Sequence, residues 1–78
     1  MDKNISNKID KAWLNLIKKD YMFKFVKGTT EIVFTNDIPR IDFINNKILM
    51  NIDYIKVIST SRLTHTIYHM IMNYCHNH

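Results

Sequence analysis

The sequence predicts an α+β domain: a two-layer sandwich in the order α-β-β-β(-β)-α, with an antiparallel sheet and the N- and C-terminal helices packed on one of its faces. Three observations carry this expectation. Apolar residues recur at helical spacing at both ends of the chain. Through the middle they alternate with a period of two. Gly28, Asn36-Asp37-Ile38-Pro39 and Asn45-Asn46 punctuate the alternating stretches.

The first helix is predicted over Ile5–Lys19, with Asn4 or Ser6 as its N-cap. At about 100° per residue, Ile5, Ile9, Ala12, Trp13, Leu16 and Ile17 share one arc. Lys8, Lys11, Lys18 and Lys19 fall on the other side, with Asn15 among them. At Asp20-Tyr21 the period changes. Tyr21, Phe23 and Phe25 alternate with Met22, Lys24 and Val26, and after Lys27-Gly28-Thr29-Thr30 the pattern resumes at Ile32 and Phe34. The stretch Tyr21–Thr35 therefore reads as two antiparallel strands around a short loop, with Gly28 free to take a positive φ. Its aromatic residues Tyr21, Phe23, Phe25 and Phe34, together with Phe43, are expected in the core.

Pro39 pushes Ile38 out of the α region and makes 36–39 a turn. Ile41 and Phe43 then alternate with Asp42, and Asn45-Asn46 suits a hairpin turn because Asn tolerates positive φ. Ile48, Met50, Ile52 and Tyr54 continue the strand pattern, whose phase slips at Ile55, Val57 and Ile58 as at a bulge or strand end. A helix over 47–58 also fits Ile48, Ile52 and Ile55, but Asn51, Asp53 and the β-branched residues favour strand. Ser59-Thr60-Ser61 offers capping hydroxyls to a second helix over Arg62–Cys75, whose inner face is Leu63, Ile67, Met70, Ile71 and Tyr74. Tyr68, Met72 and Cys75 widen its apolar arc beyond what one sheet face covers.

Residues 1–78 make a single domain, whose small core implies a net stability of roughly 3–5 kcal/mol. Cys75 is the one cysteine, so a disulfide within the chain is excluded and a reducing cytoplasm is the expected setting. No secretory signal or membrane-length apolar run is present. With 11 Lys+Arg against 7 Asp+Glu, the net charge of +4 permits an acidic partner. The richness in Ile, Asn and Lys suits an AT-rich genome, and with it a viral or mobile-element accessory protein.

No set of residues spells out catalysis. His65, His69 and His76 fall on one stripe of the second helix, but there is no CxxC knuckle and no glutamate after His65, so neither structural zinc nor an HExxH site is expected. Glu31 is the single glutamate, Asp42 and Asp53 read as solvated strand residues, and one glycine cannot make a phosphate-binding loop. No cofactor or metal is expected, and the chain reads as a non-enzymatic interaction protein that regulates or inhibits a protein partner. Its expected contact face is Tyr68, Met72, His65 and His69 on the second helix, for another protein or a second copy in a homodimer. The alternative is a nucleic-acid-binding domain using Lys8, Lys11, Lys18 and Lys19. The element order is similar to that of the double-stranded-RNA-binding domain. However, that family's basic cluster opening the last helix is reduced here to Arg62, followed by Leu63 and Thr64, and its loop histidine has no match in Lys27-Gly28-Thr29-Thr30.

Overall fold

Every apolar residue of the first predicted arc is covered by the rest of the chain. A computed structural model, which describes the backbone of residues 3–77 and the side chains of residues 3–75, places helix α1 at Lys3–Lys19. Ile5, Ile9, Ala12, Trp13 and Leu16 are buried, as the helical spacing requires. The chain continues as α2 (Met22–Thr29), β1 (Glu31–Thr35), β2 (Arg40–Asp42), β3 (Lys47–Asn51), α3 (Ile52–Val57) and α4 (Thr60–Asn77). The fold is α+β, with terminal helices and a three-stranded sheet.

Two expectations are corrected. Residues 22–29 form α2, not the first strand of a hairpin, and Gly28 has no positive φ. Asp20 starts this helix by accepting the Met22 N–H at 3.0 Å. In a helix, residues two apart face nearly opposite ways, so Phe23 is buried while Phe25 is exposed. The sheet is also mixed, in the order β1-β3-β2, with β3 parallel to β1 and antiparallel to β2. With two helices before the first strand and two after the last, the likeness in order to the double-stranded-RNA-binding domain is lost.

The β2–β3 hairpin turns over residues 43–46, where Asn46 adopts φ 54°. Asp42 accepts from the Asn45 N–H at 3.3 Å and its side-chain amide at 2.7 Å. Asn51 ends β3 and starts α3: its Oδ1 accepts the N–H groups of Asp53 and Tyr54 at 2.9 and 3.3 Å. The strand favoured over 47–58 is corrected too: it stops at Asn51, and Ile52, Asp53 and Tyr54 lie on α3, so the slip in phase is a switch from strand to helix. The Asn51 amide also donates to the carbonyls of Asn36 and Asp37, tying the β1–β2 link across the end of β3.

Ile32, Ile48 and Ile41 form one row on the inner face of the sheet, and Phe34 and Met50 form the next. The outer face carries Glu31, Lys47 and Asp42, then Val33, Leu49 and Arg40. Ile48 and Met50 lie in one core with Phe23, Ile55, Leu63, Ile67 and Ile71, so the helices cover one face as expected. Asn15 of α1 donates to Thr64 of α4, and Lys19 lies over the ring of Tyr68. This matched advance shows that the two long helices run parallel.

Candidate partner-binding surface

The lysines of α1 separate into two groups. Lys8 and Lys19 flank the apolar arc, whereas Lys11 and Lys18 point away from it. Lys8 Nζ donates to the carbonyls of Ile55 and Ile58, both at 2.8 Å, and so neutralises the C-terminal end of α3. Lys19 Nζ sits 5.3 Å from the centre of the Tyr68 ring. Lys11 and Lys18 are exposed. The expected basic stripe is therefore two surface lysines between two that are engaged with other elements.

The face expected on α4 is also partly committed. Tyr68 is half-buried, its ring 5.9 Å from that of Phe23, and Met72 is half-buried against the core. His65 and His69 are exposed and meet edge to face, with 4.2 Å between their ring centres. The third histidine of the stripe, His76, lies outside the residues whose side chains are described. Among the described residues no three His, Cys, Asp or Glu side chains gather where a metal ion would need them. A cleft of about 550 Å³ runs between the end of α1 and the start of α4, lined by Asn15, Lys19, Arg62, His65 and Tyr68 among others. It unites members of both predicted sets: Lys19 from the basic one, His65 and Tyr68 from the other. Met72 lies apart from it, in a shallow hollow beside Cys75.

The surface that the sequence pattern missed is on α2. Tyr21 is 71% exposed and Phe25 74%, and Met22 lies beside them. Tyr21, just before α2, and Phe25 are one helical turn apart on the side away from Phe23 and Val26, with Met22 between the two sides. Lys24 Nζ donates to the Tyr21 hydroxyl at 3.2 Å and lies 5.3 Å from the centre of its ring. Lys18 and Lys27 are exposed on the flanking turns. The acid in this stretch, Asp20, is occupied in capping α2. An exposed Phe and Tyr with Lys24 against the Tyr ring are an apolar surface with a positive charge at its margin. In the sequence its signal was the helical spacing of Phe23 and Val26 behind Asp20, a good N-cap residue, which the alternation of Tyr21, Phe23 and Phe25 obscured.

None of the helices among the described residues is long and apolar enough to cross a membrane. Comparisons with protein families, curated proteins and solved structures find no match for this chain.

Proposed function

We propose that the protein is a non-enzymatic interaction module that regulates or inhibits a protein partner, and that it docks through the outer face of α2. One observation carries this reading: Tyr21 and Phe25, one helical turn apart, are both more than two-thirds exposed. Anchors one turn apart suit a helix-in-groove mode, in which aromatic side chains fill pockets and the rim supplies charge. Lys24, held against the Tyr21 ring, favours an acidic group on the partner. The exposed, lone Cys75 suits a reducing cytoplasm.

Replacing Phe25 with a photoreactive phenylalanine analogue tests the proposal, with the same analogue at Ile44, which is 94% exposed on the hairpin turn, as control. A discrete adduct is expected from position 25 and not from position 44. With the purified partner, Phe25→Ala is expected to weaken binding at least tenfold, the scale of an aromatic anchor worth about 1.4 kcal/mol or more. Identical adducts from both positions would remove α2 from the interface.

The exposure of two stackable rings beside Lys24 favours a second reading, single-stranded nucleic acid, with bases on Tyr21 and Phe25 and a phosphate on Lys24. Binding of labelled single strands across a salt series decides it. A steep salt slope that Phe25→Ala and Lys24→Glu both weaken supports this reading, and no binding at low salt ends it.

A further inference from the structure

Strand β1 is an edge strand whose one charged residue, Glu31, lies at its start. In the order β1-β3-β2 it lies at one end, and among the described residues β3 is the strand it pairs with. Its sequence, EIVFT, is rich in strand-forming residues and contains no Pro, Gly or Lys. The other edge, β2, is defended: it is three residues long, carries Arg40 and Asp42, and follows Pro39, which has no N–H to offer.

The backbone groups left open on β1 follow from its pairing. Glu31 and Lys47 are partners in the parallel ladder, and the Glu31 N–H donates to the Asn46 carbonyl at 2.9 Å. Alternate residues of a parallel strand turn both polar groups to the same side. Glu31, Val33 and Thr35 therefore bond to β3, and the N–H and C=O groups of Ile32 and Phe34 point outward. The apolar layer also thins at this edge: Ile48 and Met50 are fully buried, but Ile32 and Phe34, in the same rows, are only half-covered.

We infer that β1 pairs antiparallel with β1 of a second copy, about a two-fold axis at Val33, to give a six-stranded sheet in the order β2-β3-β1-β1-β3-β2. The edge is complementary to itself. With the axis at Val33, Ile32 faces Phe34 of the second copy and Phe34 faces its Ile32, so all four outward groups of each strand are satisfied. Glu31 falls opposite Thr35, and no like charges meet. On the inner face the half-covered Ile32 and Phe34 of both copies meet and close the gap in the apolar layer. On the outer face the two Val33 side chains sit together beside Leu49. The residues paired across this interface, Glu31–Thr35, are distinct from Tyr21 and Phe25.

Sedimentation velocity on the full chain, from about 5 μM to about 1 mM, tests the inference. The expected result is a shift from 9.4 kDa to twice that mass, with hydrogen exchange at the Ile32 and Phe34 amides slowing as concentration rises. Val33→Lys leaves the monomer's solvent face intact but puts two like charges on the axis, with Cα atoms about 4.5 Å apart. This variant is expected to stay monomeric throughout, with a melting temperature close to that of the wild type at the low-concentration end and independent of concentration, as is Val33→Glu. An equimolar mixture of the two is expected to dimerise again. A wild-type chain that stays monomeric, or a dimer that Val33→Lys leaves unchanged, would overturn the pairing.

Discussion

The pair Phe23 and Phe25 provides a sharp test of the reasoning, because strand and helix give opposite answers for residues two apart. In a strand they share a face and suffer alike on truncation. In α2 Phe23 is 0% exposed and Phe25 74%. Removing a buried phenylalanine to alanine costs roughly 3–5 kcal/mol, as much as a domain of this size has to lose. Leucine is the better probe: at position 23 it loses part of the ring's burial and contact with Tyr68, about 1–2 kcal/mol. At position 25 leucine and alanine alike are expected within about 0.5 kcal/mol of the wild type, because the ring touches mostly water. For a chain of this length each kcal/mol moves the melting temperature by about 4–8 °C. Thermal and urea unfolding should therefore place Phe23→Leu about 5–15 °C below the wild type and Phe25→Leu beside it. Equal losses at the two positions would refute α2 and restore the hairpin.

Other consequences follow from single contacts. Lys8→Met keeps the aliphatic stem but removes the two bonds to the end of α3, so it should destabilise by about 1–2 kcal/mol, while Lys11→Met should be neutral in the same melts. Asn51→Ala removes the cap of α3 and the tie to residues 36–37, a loss of about 1–2 kcal/mol. Asn51→Asp keeps the capping oxygen and loses only the tie, so it should recover part of that in chemical denaturation. Hydrogen bonds from the Asn45 side chain and then its backbone hold the Asp42 carboxyl below its ordinary value of 3.8. A carboxyl depressed on folding contributes stability in full above its unfolded value, and that contribution is lost as pH falls through the folded one. Melting temperature should accordingly fall more below pH 3.8 in the wild type than in Asp42→Asn.

Much of the fold was legible because its longest elements repeat one period many times. Ile5, Ile9, Ala12, Trp13 and Leu16 specify α1 several times over, and Leu63, Ile67 and Ile71 do the same for α4. The turn at Asn45-Asn46 was readable from chemistry, and Asn46 takes the positive φ that Asn tolerates. Two turns of helix in α2 gave too short a sample. Phe23 and Val26 fit a helix, while Tyr21, Phe23 and Phe25 fit a strand equally well, and only burial separates the two. Parallel pairing of β1 with β3 was illegible for another reason. Both strands carry apolar residues at alternate positions, and nothing local in either names its partner.

The place of one short helix changes which apolar residues lie outside the core. A strand would have placed Tyr21 and Phe25 beside Phe23 in the core and left α4 to supply the spare apolar surface. With α2 in place, Phe23 reaches Tyr68, Lys19 covers the same ring, and Tyr68 and Met72 become part of the packing. The lysines divide on the same principle. Lys8 lies on the flank of the apolar arc, where a long side chain can reach the carbonyls that end α3, whereas Lys11, one turn on, points to solvent. Residue type therefore said which groups were able to bind something. Their angle about a helix axis decided whether that something was already in the molecule. By that criterion Tyr21 and Phe25 are exposed side chains that the fold leaves outside its core, whereas Tyr68 and Lys8 are engaged within it.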